Sequence, residues 1–174
     1  MLEMVKEAEK ELLRYPGYSG SYYVKRILKQ ICGRKVPPAD KFNWPNGLLA
    51  KALADYYQDH KNSEEARVIL DVLKKYYNRW IAGKCRMYYL DDAVSGMALI
   101  DLHQITGEEK YKEAADKIAE YLFHHETDDG GNLPYRPEQK NGYIFADGIG
   151  MVCPFLCKYG AVYDLSLIHI SEPT

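Results

Sequence analysis

Apolar residues recur with helical spacing along almost the whole chain. Leu48, Leu49, Ala52, Leu53 and Tyr56 form one such set, and Ile69, Leu70, Leu73, Tyr77 and Trp80 form another. Each stripe is wide enough to predict a helix buried over a broad face, and nowhere does the alternation of a half-buried strand replace it. Polar residues mark where helices begin. Asn62 with Glu65 and Thr106 with Glu109 have the spacing of a capping box, in which an oxygen side chain takes an orphan N–H and the acid reaches back to the cap. These two positions are predicted to open equivalent helices.

That equivalence extends to a repeat. Aligning Gly47, Gly96 and Gly150 superposes NWPNGLLAKALADYY, LDDAVSGMALIDLHQITG and FADGIGMVCPFLCKYG, and Leu53, Leu102 and Leu156 then follow their glycines at one common interval. The first two copies run through a short turn into a capped second helix, so the unit is a helical hairpin of roughly fifty residues. Stacked hairpins of this size build either an open solenoid or a closed α/α toroid. In both, the first helices are parallel and their N-terminal ends share one rim, where helix dipoles and free N–H groups favour anions. The predicted fold is all-α, made of helical-hairpin repeats.

Asp147, Asp91 or Asp92, and Asn43 with Trp44 stand at corresponding helix starts, so a toroid would gather them around one mouth. An Asp at a helix start ordinarily does no more than cap it. Two acids, an aromatic and glycines that permit close approach, all at equivalent positions, favour a site over a set of unrelated caps.

Composition narrows the possible partners. With 47% hydrophobic and 28% charged residues among 174, the chain suits one globular domain with a real core. Acids and bases are interspersed at a net charge of −2, so there is no basic stripe to neutralise a phosphate backbone, and nucleic acid is not an expected partner. No segment reads as a membrane span. With Met1 as the start, MLEMVKEAEKELLRYP is a charged amphipathic helix pattern lacking the apolar stretch of a secretory signal, which points to a cytoplasmic protein.

Cys32, Cys85, Cys153 and Cys157 show no zinc-ligand pairing, and the histidines form no HExxH motif. The cysteines therefore read as reduced core residues, and no metal or other cofactor is expected. DDGGN at 128–132 reads as a turn and not a calcium loop, and His124 and His125 as cations suited to a helix C-terminus. The pairs Tyr22/Tyr23, Tyr56/Tyr57 and Tyr76/Tyr77 are each expected to place one ring inward and one at the surface. The last residues, LSLIHISEPT, break the preceding pattern and resemble a translated transposon-end sequencing adapter. Residues 165–174 are accordingly read as adapter read-through and 1–164 as native chain.

At the candidate residues the chain resembles a known family. LDDAVSGMALIDLHQITGEEKYKEAADKIAEYL followed by GGNLPYRPEQKNGYIFADGIGMVCPFLCKYG is similar to the unsaturated uronyl hydrolases, glycoside hydrolase families 88 and 105, which include unsaturated glucuronyl and rhamnogalacturonyl hydrolases. The similarity runs from Phe42 to Tyr163. Its most specific element is the pattern spelled by Phe145, Asp147, Met151, Pro154 and Phe155. The resemblance implies an (α/α)6 barrel of which residues 1–164 form the N-terminal part, truncated at about half, with Met151, Phe155 and Leu156 on a last inner helix that lacks its neighbour. It also implies that Asp147 is the general acid/base, that Asp91 or Asp92 is a second acid, and that Trp44, with Asn43, lines the sugar site. Where many rhamnogalacturonyl members carry an aromatic followed by His, this chain has Tyr135 and Arg136.

The implied substrate is an oligosaccharide whose non-reducing end is a 4,5-unsaturated uronate left by a polysaccharide lyase. Its vinyl ether reacts by protonation at C4 and attack of water at C5, so one well-placed acid matters more than the paired separations of ordinary glycosidases. A pocket of Phe145, Met151 and a neighbouring carboxylate would keep Asp147 protonated. Arg136 or Lys140 would either pair with the substrate carboxylate or remain a solvated loop charge. Two other readings are compatible with the same residues: another α/α-toroid carbohydrate enzyme, such as an epimerase or a saturated-sugar hydrolase, and a non-catalytic helical-repeat binding module. Oligomeric state has no signature in the sequence.

Overall fold

The computed structural model describes residues 2–13, 20–33, 42–135 and 146–163, with the backbone alone for residues 20–23. Among these residues every regular element is helical: α1 (Leu2–Leu13), α2 (Gly20–Ile31), α3 (Trp44–Asp59), α4 (Glu64–Ala82), a 3₁₀ turn (Leu90–Ser95) that runs into α5 (Gly96–Thr106), α6 (Glu109–Phe123) and α7 (Ala146–Tyr163). Helices α3 and α4 form one hairpin and α5 and α6 the next, while α5 packs between α3 and α7. The arrangement is part of an α/α toroid whose inner helices are α3, α5 and α7; the glycine repeat predicts the hairpins, and the family resemblance the toroid.

The predicted capping boxes are not formed. Ser63, not Asn62, caps α4, its hydroxyl accepting the Ala66 N–H at 3.1 Å. Thr106 closes α5: its hydroxyl donates to the Leu102 carbonyl at 2.7 Å and accepts the Glu108 N–H at 3.2 Å. Gly107, at φ 67°, then ends the helix in the left-handed region that glycine enters without penalty. Spacing identified the helix starts but could not choose between adjacent oxygen side chains, because the cap is decided by which backbone turns extended.

Two glycines set the distance between inner helices. A Cβ on Gly47 would stand 2.2 Å from Ser95 Oγ and 2.9 Å from Ser95 Cα, and one on Gly96 would stand 2.3 Å from the Phe155 ring. Neither contact leaves room for a methyl group. Gly150, equivalent in the repeat, has nothing within 4 Å. Further along, the buried carboxylate of Asp101 on α5 accepts from Gln58 of α3 at 3.0 Å and pairs with Lys158 of α7 and, at 3.6 Å, with Lys51 of α3. One anion thus ties all the inner helices together. Behind them, Tyr77 of α4 donates to the Ser95 carbonyl at 2.8 Å, and Phe42 stacks on Trp80 with ring centroids 3.9 Å apart.

Several burial expectations change in this setting. On α3 the buried face is Asn46, Gly47, Ala50, Leu53 and Ala54, and Leu48 and Ala52 are exposed, because an inner helix meets its neighbours through its small residues. On α7, whose neighbour the resemblance implies to be missing, Phe155 is nevertheless fully buried over Gly96, with Met151 and Leu156 half-buried. Tyr76 and Tyr77 are both buried, since α4 is covered by α1 as well as by α3 and α5, and Tyr56 and Tyr57 are both half-buried. The cysteines are free but none is a fully buried core residue: Cys32, Cys153 and Cys157 are exposed and Cys85 is half-buried. Cys153 and Cys157 share with Ile149 a face of α7 against which no described element packs. The DDGGN segment is a turn, with Asp128 Oδ1 accepting the N–H groups of Gly130 and Asn132. His124 stands at the end of α6 as predicted, whereas His125 is buried in the loop beyond it. The segment 165–174, with Asp164, lies outside the described residues.

The glycine contacts give unequal costs. Gly96→Ala should lower unfolding free energy by about 1–3 kcal/mol through overpacking against Phe155, and Phe155→Leu in that background should recover part of it. Gly150→Ala should be neutral or stabilising by up to about 1 kcal/mol from helix propensity. Urea midpoints of the three variants measure this, and equal losses at Gly96 and Gly150 would refute the assigned contact.

Candidate active site

The starts of the inner helices meet at Asp91 and Asp92. Both acids lie in the 3₁₀ turn, whose three residues per turn send consecutive side chains in widely different directions. Asp92, 1% exposed, turns toward α3: its Oδ1 accepts the Trp44 N–H and its Oδ2 the Tyr89 N–H, each at 3.2 Å. It thereby satisfies one orphan donor at the start of α3 and one at the entry to the 3₁₀ turn. Burial pushes the Asp92 carboxyl up to about 7, opposed by these backbone hydrogen bonds and assisted by the neighbouring charge of Asp91.

Asp91 turns toward α7. It is 4% exposed, and its Oδ1 is fully covered with no hydrogen-bond partner among the described residues. The backbone of α7 comes up against this oxygen at Gly148, where a Cβ would stand 3.5 Å from Oδ1. Burial, and after it the negative charge of Asp147, raise the Asp91 carboxyl above the usual carboxylate range. Asp147 itself lies in the first turn of α7 and is exposed. Among the described residues it is Asp91, and not the exposed Asp147, that is desolvated.

The remaining candidates divide. Trp44, the first residue of α3, is 40% exposed although its own N–H is held by Asp92. Asn43 is the N-cap of α3, its Oδ1 accepting the Asn46 N–H at 3.1 Å, so its side-chain oxygen is already engaged. Tyr135 is half-buried at the same mouth, its carbonyl accepting the Leu90 N–H at 3.4 Å and its ring stacked on Tyr89 at 5.2 Å and 19°. Met151 is half-buried one turn along α7 from Asp147. Arg136, Lys140 and Phe145 lie outside the described residues.

Two groups at the mouth escaped the reading of the sequence. Tyr89 supplies both an N–H to Asp92 and a ring to Tyr135. Ser95 places a buried hydroxyl, with no hydrogen-bond partner among the described residues, over Gly47. Their nearness to LDD was the available signal, but neither residue type is distinctive there. Among the described residues no group of His, Cys, Asp and Glu side chains is arranged to hold a metal ion, and no helix is long and apolar enough to cross a membrane.

The chain is similar to the unsaturated rhamnogalacturonyl hydrolase YesR of Bacillus subtilis (strain 168), with 23% identity over 146 residues that cover 81% of this chain and 41% of that protein. The chain thus spans about two fifths of the length of this curated relative. No solved structure matches it with significance. The model of Glycosyl Hydrolase Family 88 matches residues 22–166, a stretch that contains every helix start meeting at Asp91 and Asp92, and the chain belongs to that family.

Proposed function

We propose that this chain carries the acids of a hydrolase that releases a 4,5-unsaturated uronic acid from the non-reducing end of oligosaccharides by hydrating its vinyl ether, in a protein whose barrel is complete. One observation carries the reading: a buried carboxylate oxygen without a partner among the described residues, Asp91 Oδ1, beside the exposed acid Asp147. An unpaired buried acceptor is costly and is expected where a ligand or water will complete it. The similarity to a rhamnogalacturonyl hydrolase supports the substrate class.

In this reading Asp147, being exposed, meets the substrate and delivers a proton to C4. A water held by Asp91 Oδ1 adds to C5, its proton passing to the Asp147 carboxylate, which restores the acid. The hemiketal formed at C5 opens, C1 is left as a hemiacetal, and its collapse expels the rest of the sugar chain. Trp44 offers an apolar ring to the face of a pyranose and Tyr135 offers a second, with Met151 on the same helix as Asp147. Arg136 is assigned the substrate carboxylate, a pairing suited to its planar guanidinium. Asp92 and Asn43 have their oxygens committed to backbone N–H groups and act as supports.

The two adjacent acids should separate by mutation. In the complete enzyme Asp147→Asn and Asp91→Asn should each lower turnover by about two to four orders of magnitude, the range of general acid–base catalysis, with little change in stability. Asp92→Asn should cost about 1–3 kcal/mol of stability, because an amide nitrogen would face one of the N–H donors that the carboxylate now accepts. Loss of the unsaturated chromophore, followed beside thermal unfolding, measures both effects. Full turnover in Asp147→Asn would overturn the assignment.

Hydration also dictates the label. In heavy-oxygen water the new oxygen should enter at C5 of the unsaturated residue, and the disaccharide with a saturated uronate should be inert. Label at the anomeric carbon would identify a saturated-sugar hydrolase instead.

Asp92 predicts a pH dependence of stability. Its carboxyl titrates at about 7 in the fold against an ordinary value of 3.8, so between these values the folded state binds the proton that the unfolded state has lost. Its stabilising contribution is complete below the lower value and is lost as pH rises through about 7. Denaturant midpoints should therefore fall as pH rises from 3.8 to about 7, and Asp92→Asn should shrink that difference.

A further inference from the structure

The loop that follows α6 ends in Tyr135 at the mouth, and its most buried polar side chain is assigned no role above. His125 is 7% exposed, and its Nε2–H donates to the Pro134 carbonyl at 2.7 Å. A carbonyl can only accept, so Nε2 carries the proton of this bond, and Nδ1 is buried without a partner among the described residues. The Tyr121 ring lies edge-on to the imidazole at 5.3 Å and 68°, which sets its plane. Leu133, the residue before Pro134, packs on the core.

The Pro134 carbonyl belongs to the peptide plane that precedes Tyr135, and the Tyr135 carbonyl to the plane that follows it. The first is held by His125 at 2.7 Å and the second by the Leu90 N–H at 3.4 Å. With both flanking planes pinned, the Tyr135 backbone has little freedom, and its ring is stacked on Tyr89 at 5.2 Å. Leu90 is the residue before Asp91, so the same contacts fix the ring relative to the buried acid.

We propose that His125 is a positioning residue for substrate binding: through the Pro134 carbonyl it holds the aromatic ring of Tyr135 in register with Asp91, so that a sugar ring stacked on Tyr135 presents its reacting bond to the acids. It touches neither substrate nor reacting atoms. The inference builds on the function proposed above for the mouth, and on the same geometry.

The discriminating variant is His125→Phe in the complete enzyme, which keeps a buried ring against Tyr121 and removes the donor together with the unpartnered Nδ1. KM for the unsaturated disaccharide should rise on the order of tenfold with kcat within about twofold, because what is lost is orientation of a binding surface and not a group acting in the transition state. His125→Gln, whose amide nitrogen can donate from nearly the same place, should return KM toward the wild-type value. Tyr135→Ala should raise KM as much, and the double variant no further, since both changes remove one platform. Hydrogen exchange gives a second readout independent of turnover: the Leu90 amide should lose protection in His125→Phe and regain it in His125→Gln. A wild-type enzyme inactive on unsaturated disaccharides would overturn the proposed function, while the exchange result would still report on the loop. An unchanged KM in His125→Phe, a KM effect additive with Tyr135→Ala, or no rescue by His125→Gln in a folded protein would overturn the role of His125.

Discussion

The carboxylate of Asp92 is the joint on which the mouth depends. It is buried, yet it accepts one N–H from the start of α3 and another from the entry to the 3₁₀ turn, so the two starts cannot part without baring orphan donors and a charge at once. A buried ion is costly to desolvate, and losing its partners is costlier still. The consequence reaches Asp91. With Asp92 committed to α3, the 3₁₀ geometry turns its neighbour the other way, onto the backbone of α7 at Gly148 and toward Asp147.

Opposing influences act on these acids. Helix N-termini favour a carboxylate by about 0.3–1 kcal/mol each at exposed positions, whereas withdrawing it from water costs several kcal/mol. Burial wins, since both Asp91 and Asp92 are shifted upward with burial as the leading cause. Both carboxyls are thereby shifted toward the protonated form at a rim where dipoles alone would favour the anion. The stiffness that holds it comes from elsewhere: Gly47 and Gly96 allow side chains to be pressed onto inner-helix backbones, and Asp101 joins α3, α5 and α7 beneath. A site built on packed helices in this way is held more closely than one built on loops.

Much of the architecture was legible in local pattern. The helical stripe of α4, the hairpin repeat marked by Gly47, Gly96 and Gly150, and the gathering of helix starts around Asp91, Asp92, Asp147 and Trp44 all rest on periodicity and turn chemistry, which a linear sequence contains. The misreadings share a cause. Residue type places Cys153 and Cys157 in the core and one ring of the Tyr76/Tyr77 pair at the surface, whereas burial at each depends on what another helix places opposite. His125 was read as a cation at a helix end because its partner, the Pro134 carbonyl, belongs to a loop whose path has no period.

The sequence by itself determined an all-α repeat and family membership and narrowed the candidate acids, since those follow from residue type and spacing. Only the tertiary structure divided Asp91 from Asp92. The two are identical in type and adjacent in the chain, and they differ in that one has two N–H donors within reach and the other has a covered oxygen with none among the described residues. Hydrogen-bond satisfaction belongs to the space around a group, and that space is assembled here from α3, the 3₁₀ turn and α7.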